Sequence, residues 1–140
     1  MELDSALTFA RSTHASVFVT IKSSGRPQLS NVSHTIDDAG LIRISIATDR
    51  AKYRNLLREP WSALHITSPD FWRYVVIEGT TELSAPAADA HDATVDELVE
   101  YYRSVSGEHP DWDEYRQAMV DQVRVVARFH PERAYGQLPG

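Results

Sequence analysis

The segment Leu41–Ala47 (LIRISIA) most constrains this chain: Ile42, Ile44 and Ile46 alternate with Arg43, Ser45 and Ala47. Alternation with period two places three isoleucines on one face of a strand and leaves the other face to a different environment. Five further runs have strand character: 16–22 (SVFVTIK), 28–36, 63–68 (ALHITS), 74–83 (YVVIEGTTEL) and 123–129 (VRVVARF). Turn signals at Ser23-Ser24-Gly25 and Asp37-Asp38-Ala39-Gly40 join the first three as hairpins. Gly79 inside the fifth predicts a bulge or a close backbone approach. Helical periodicity is confined to four places: about 2–12, 50–59, a region opened by Pro86 and ending at Gly107, and about 111–122. Thr48 or Asp49 is the expected cap of the second helix, and Tyr53 and Leu57, at i and i+4, are expected to face the sheet.

These elements predict a mainly β chain with helices (α+β), one domain over residues 1–140. The expected architecture is a six-stranded antiparallel barrel with helices packed outside it, because closure removes the exposed edges that so many strands would leave. A helix-decorated open sheet is the structural alternative.

The second strand breaks the pattern. Arg26–His34 (RPQLSNVSH) places Gln28, Ser30, Asn31, Ser33 and His34 on both faces of an extended segment. An unpaired buried amide or hydroxyl costs roughly 1–3 kcal/mol, so these groups need partners that a two-sided apolar core does not supply.

Charge narrows the functions. The net charge is −6, which argues against a general nucleic-acid binder. Residues 85–121 hold ten acids against two bases, Arg103 and Arg116. Arg50, Lys52, Arg54 and Arg58 crowd together elsewhere, either as a solvated helix face or as a site for one anion. The chain has no Cys, so disulfides, thiolate metal sites and a Cys nucleophile are excluded. The histidines at 14, 34, 65, 91, 109 and 130 show no metal-ligand spacing. No apolar run approaches the roughly 20 residues of a membrane span, and the N-terminus lacks a signal-peptide pattern, so a cytoplasmic protein is expected. Phosphate-binding glycine loops and the nucleophile elbow are absent too.

One constellation remains. The polar second strand offers neutral hydrogen-bonding groups, and Ser45 lies on the non-isoleucine face of the third. The following helix opens T-D-R-A-K-Y-R-N, with Arg50 and Lys52 beside the free N–H groups of a helix start, which favour an anion. Trp72 and Tyr74 add flat surfaces suited to stacking, although Trp72 alone packs a core equally well. Hydroxyls and amides for a heteroaromatic edge, bases for a phosphate and aromatic flanks together describe a flavin-type site.

The ordered set V-F-V-T, G-R-P-Q-L-S-N-V, I-S-I-A-T-D-R-A-K-Y-R-N-L and W-R-Y-V-V-I-E-G resembles the flavin-binding split β-barrel superfamily typified by pyridoxamine 5′-phosphate oxidase. It is most similar to the short-chain branch of deazaflavin (coenzyme F420)-dependent oxidoreductases. The later Y-R-S-V-S-G-E-H-P-D-W-D-E-Y-R-Q-A-M and A-Y-G-Q-L-P-G extend the likeness over nearly the whole chain. The resemblance implies a homodimer with cofactor grooves at the subunit interface. It further implies that Gln28, Leu29, Ser30, Asn31 and Val32 line the cofactor, and that Ser45 and Ile46 touch its ring or ribityl side. Arg50, Ala51, Lys52 and Asn55 would hold the phosphate and part of an acidic tail. Trp72, Arg73 and Tyr74 would flank the cofactor from the partner subunit.

The function this implies is a reductase that passes a hydride from reduced coenzyme F420 to a small electrophilic organic acceptor. The cofactor carries the difficult chemistry, so the lack of a designated catalytic acid–base pair is consistent with it. The acceptor's proton would come from water or from a nearby Tyr or His. Two alternatives share the fold: an FMN-binding oxidase or flavin reductase, and a cofactor-binding protein without turnover. The bases near the helix start exceed what one phosphate requires, which favours a deazaflavin with a polyglutamate tail over FMN.

Overall fold

The computed structural model describes residues 1–138; Pro139 and Gly140, which close the AYGQLPG segment, lie outside the described residues. The elements are α1 (Leu3–Ala10), β1 (Ala15–Ile21), β2 (Pro27–Ser33), β3 (Thr35–Ile36), β4 (Ile42–Ala47), α2 (Ala51–Arg58), β5 (Trp61–Thr67), β6 (Tyr74–Leu83), α3 (Ala93–Ser106), α4 (Trp112–Asp121) and β7 (Arg124–Gln137). All strands among the described residues belong to one antiparallel sheet of order β2-β1-β5-β6-β7-β4-β3.

The strand count is seven, not six, because the expected strand over 28–36 is two strands. His34 divides them. Its backbone N–H donates to the His14 carbonyl at 2.8 Å, while its buried ring lies 2.9 Å from the Ser16 hydroxyl and 3.0 Å from the Ala10 carbonyl. β2 and β3 are the two opposite edges of the sheet, yet one residue joins them in sequence. The sheet therefore has to curl until its edges approach, and a half-barrel results.

The alternating face of β4 meets its expectation: Ile42, Ile44 and Ile46 are buried, packed with Phe18, Leu64, Ile66, Val75, Ile77 and Phe129. Helix α1 contributes Ala6, Leu7 and Ala10 to this core. A second apolar cluster forms on the other face of β7, where Val126 packs with Val95, Leu98 and Val99 of α3 and with Tyr115 and Met119 of α4. Helices α3 and α4 begin at Asp92 and Asp111, whose carboxylates accept from the N–H groups of Val95 and Glu114. Residues 86–92 precede α3 without being helical, so Pro86 does not open it.

Two further expectations at α2 are corrected. Neither Thr48 nor Asp49 caps it; Arg50 holds the N-cap position without a side-chain cap bond. Leu56, not Leu57, reaches the core, and Leu57 is 63% exposed while Tyr53 packs at its margin. Strand β7 runs eight residues past the expected end at 129 because it pairs with the whole length of β6. The polar H-P-E-R stretch hides this extension, and Pro131 is accommodated opposite Gly79, where the register shifts. A Cβ on Gly79 would run into the His130 carbonyl oxygen, so the predicted bulge is also a close backbone approach. No helix among the described residues is long and apolar enough to cross a membrane.

Candidate functional site

The curl leaves a groove of about 920 Å³ between the β2 edge, the end of β4, the start of α2 and the paired helices α3 and α4. Its volume is at the upper end of the range for small-molecule sites. The register explains which part of the polar strand faces it. Ser30 pairs with the buried Phe18 and Gln28 with the buried Thr20, so both point to the concave side. Leu29 points away and is 60% exposed.

Gln28 and Ser30 have the partners that an apolar core could not give them. The Asn55 amide donates to Gln28 Oε1 at 2.6 Å and to Thr20 Oγ1 at 3.1 Å. Asn55 is buried and does not line the groove; it holds Gln28 in place. Lys52 Nζ donates to Ser30 Oγ at 3.2 Å. Burial, followed by the charges of Arg50 and Arg124, pushes the Lys52 ammonium below its ordinary value.

Arg124, at the start of β7, bridges the two sides of the groove. Its Nη1 donates to Ser45 Oγ at 3.1 Å and its Nε to Gln122 Oε1 at 2.6 Å. Neither Lys52 nor Arg124 meets a carboxylate among the described residues, and Arg50 reaches only the exposed Asp49, at 3.9 Å. Three cations thus converge beside an uncapped helix start, with one exposed acid to offset them. Such a site is prepared for an anion.

Among the residues expected from sequence, Gln28, Ser30, Asn31, Val32, Ser45, Ile46, Arg50, Ala51 and Lys52 line this groove. Leu29, Asn55, Trp72, Arg73 and Tyr74 do not. Trp72 is 74% exposed in the turn between β5 and β6, its ring packed edge-on against Phe71. Arg73 reaches Asp70 at 3.8 Å, and the Tyr74 ring packs tilted against that of His65, 5.5 Å away.

Sequence reasoning missed the wall supplied by α3 and α4: Tyr101, Tyr102, Tyr115 and Met119, with Gln122 beyond them. The Tyr101 hydroxyl donates to the Ser33 carbonyl at 2.8 Å, which fastens α3 to the end of β2. Burial raises the Tyr101 phenol and pushes that of Tyr115 up to about 12. The Tyr115 hydroxyl donates inward to the Leu98 carbonyl at 2.9 Å, so its ring, not its hydroxyl, is available to the groove. Tyr102 follows Val95, Leu98 and Val99 at helical spacing and packs against their cluster, so its spacing marks a core position and conceals that it also lines the groove. Arg124 carries only a faint signal, as the first of two arginines, with Arg128, in the run V-R-V-V-A-R-F.

A smaller cavity of about 350 Å³ lies behind Tyr101 and is lined by a structural ion network. Glu97 accepts from Arg43 Nε at 2.8 Å and from Arg128 Nε and Nη2 at 2.9 and 2.6 Å, and Arg43 also reaches Asp37 at 2.9 Å. These bonds tie α3 to β4 and β7.

Comparison with known proteins places this architecture. The sequence model of the pyridoxamine 5′-phosphate oxidase family matches residues 3–138, and the chain belongs to that family. An F420 reductase of known structure superposes with a TM-score of 0.65 at 23% identity, covering 96% of this chain and 97% of that one. A conserved hypothetical protein from Mycobacterium tuberculosis gives 0.72 at 21% identity, over 97% of this chain and 84% of that one. The heme storage protein HutZ from Vibrio cholerae gives 0.68 at 14% identity, over 97% and 95%. These likenesses show a shared fold.

Proposed function

We propose that this protein is a reductase that binds coenzyme F420 in the groove and reduces a small electrophilic organic acceptor. The observation that carries this reading is the convergence of Arg50, Lys52 and Arg124, nearly free of carboxylates, beside the hydroxyl and amide wall of β2. The residues suit the cofactor's parts. Gln28 and Ser30 offer hydrogen bonds to a heteroaromatic edge or ribityl chain, and Arg50, Lys52 and the first N–H groups of α2 offer an anion site for its phosphate. Lys52 lies in a partly buried, doubly cationic setting, and an anion there relieves both costs.

When bound, the reduced deazaflavin supplies a hydride from C5 to an electrophilic carbon. The chain's own contribution is positioning. Asn55 fixes Gln28, Tyr101 fixes the end of β2, and Glu97 fixes α3 over the opening. The α3–α4 wall excludes water from one side, which strengthens electrostatic interactions within. The acceptor's proton comes from water or from a groove hydroxyl.

The same reading includes a homodimer. Trp72, Arg73 and Tyr74 lie outside this chain's groove, so they would flank a cofactor only across a subunit interface, and Leu29, Leu57, Phe71 and Trp72 leave apolar surface exposed. Light scattering that gives a stable monomer of 15.8 kDa would overturn this part.

FMN is the second reading, favoured by the same wall and helix start, since both cofactors present a ring, ribityl chain and phosphate. A heme reading finds less support. The groove lining includes no histidine, and His34 is committed to Ser16 and Ala10. Calorimetric titration of the apoprotein with coenzyme F420, FMN and heme tests the three. The expected order is F420 tightest; FMN or heme binding more tightly than F420 overturns the proposal.

A further inference from the structure

Thr35 stands apart among the buried polar side chains. It is only 9% exposed, yet its hydroxyl has no hydrogen-bond partner among the described residues. Ser16, Thr20, Ser62 and Thr94, buried to a similar degree, each have one. No fully enclosed side-chain oxygen or nitrogen among the described residues lacks a partner, so the Thr35 hydroxyl is not sealed in. It opens to the smaller cavity behind Tyr101. The register explains why. Thr35 pairs with Arg43, so both side chains leave the sheet on one face, the face on which Arg43 meets Glu97 of α3.

The other polar groups of this cavity decide what suits Thr35. Asp37 and Glu97 have both carboxylate oxygens engaged, by backbone N–H groups and by Arg43 and Arg128. Those two acids and two bases cancel. Glu100 differs: its Oε1 takes Arg103 at 2.6 Å, while its Oε2 has no partner among the described residues. Arg103 is shared with Glu108 at 3.1 Å and stacks on Trp112, so two carboxylates divide one base. One negative charge is left over beside the cavity. Among the described residues, no three acidic or histidine side chains are grouped so as to hold a metal ion. The cavity, at about 350 Å³, has room for one small organic molecule.

From this we infer that the cavity between β3 and α3 is a second binding site, for a small primary alkylammonium ion. An ammonium carries donors and no acceptor, which matches two oxygens with lone pairs to spare, Thr35 Oγ1 and Glu100 Oε2. A carboxylate of the same size meets no such complement, because the guanidinium of Arg43 is committed to Asp37 and Glu97 at 2.9 and 2.8 Å. The short chain of the ligand lies against the Tyr101 ring and the aliphatic stem of Arg43. Tyr101 is common to both cavities, so the ligand touches the residue that fastens α3 to the end of β2. The site is independent of what the larger groove binds.

Three probes of one size, n-butylammonium, 1-butanol and butyrate, test this by NMR titration of the full chain. Physiological salt is used, so that exposed charges are screened beyond about 8 Å. The ammonium is expected to give saturable shifts at the Thr35, Tyr101 and Ser104 backbone signals in the millimolar range. The alcohol and the carboxylate are expected to bind at least about threefold more weakly. Thr35→Val keeps the shape and removes the hydroxyl, and is expected to weaken the ammonium about threefold to tenfold. Glu100→Gln, at an exposed carboxylate, is expected to cost about twofold to fivefold. Equal affinity for the three probes or an unchanged affinity in Thr35→Val overturns the inference. So do shifts that spread over the acidic surfaces of α3 and α4 and grow without saturating. If the valine variant does not fold, the three probes on the unmodified protein decide alone, by their ranking and by where the shifts fall.

Discussion

Lys52 Nζ sits 3.2 Å from the Ser30 hydroxyl and has no carboxylate partner among the described residues. A cation held against a neutral hydroxyl, with Arg50 and Arg124 nearby, is under an electrostatic load that an anionic ligand removes. Three residues further along α2, Asn55 sets up the same strand differently, gripping Gln28 from a buried position.

Lys52→Ala is expected to weaken coenzyme F420 binding by roughly 1.5–3 kcal/mol, the scale of a charge-assisted hydrogen bond. Arg58→Ala is the internal comparison. Its guanidinium donates to the Ile21 carbonyl at 2.7 Å and to Asn55 Oδ1 at 3.2 Å, outside the groove. That substitution is expected to lower stability by about 1 kcal/mol and to leave affinity nearly unchanged. Equal losses of affinity at the two positions would point to a diffuse basic surface.

Glu97→Gln is expected to destabilise the protein by about 1–3 kcal/mol in urea unfolding, because Arg43 and Arg128 both lose their shared charged acceptor. The hydrogen bond from Arg128 comes first in holding the Glu97 carboxyl below the usual carboxylate range, and that from Arg43 adds to it. A depressed carboxyl contributes stability above its unfolded value near 4.5, and that contribution is lost as pH falls through the lower folded value. The variant should therefore show a shallower acid limb below about pH 4.5 than the unmodified protein. An unaltered acid limb would remove Glu97 from the account.

His34 titrates in a different window. Burial holds its imidazole below its ordinary value of 6.5, with the His14 charge acting in the same direction. The unfolded chain then binds the proton more readily than the folded one. Stability from this group is complete above about pH 6.5 and declines as pH falls below it, by at most about 1.4 kcal/mol per pH unit. His34→Gln keeps a donor toward Ala10 and an acceptor toward Ser16, and is expected to flatten thermal stability between pH 7 and 5.5. A slope unchanged by the substitution would show that another group governs it.

Much of this molecule was legible because its signals are local. The period of Leu41–Ala47, the turns at Gly25 and Gly40 and the bulge at Gly79 are each written within a few residues. The polar faces of Gln28 and Ser30, and the bases at the start of α2, stood out for the same reason, and the fold brings them to one groove. The split at His34 was not legible, since it depends on contacts with Ala10, His14 and Ser16, some twenty residues earlier. Tyr101 and Arg124 were missed on similar grounds. Each enters the groove through a partner far away in sequence, Ser33 for the tyrosine and Ser45 for the arginine. Periodicity reports which face of an element is apolar, not which other element the opposite face will meet.

The number of cations around the groove separates the two flavin-type readings. FMN ends at its phosphate, so it engages only the groups gathered at the start of α2. A deazaflavin with a glutamate tail extends further, past Arg50, whose side chain is 71% exposed, toward Arg54, which reaches the Asp49 carbonyl from the next turn of α2. Each added carboxylate–base contact at such positions should contribute only about 0.2–1 kcal/mol, because solvent and salt screen it. Lengthening the tail by several glutamates is therefore expected to tighten binding several-fold at low ionic strength. The gain should shrink as salt is raised, and FMN affinity should fall less steeply over the same range. Titrations of F420 species of defined tail length, run in parallel with FMN across a salt series, make the measurement. If FMN binds more tightly than every deazaflavin tested and tail length makes no difference, Arg54 is a solvated charge with no part in binding, and the F420 reading loses its electrostatic support.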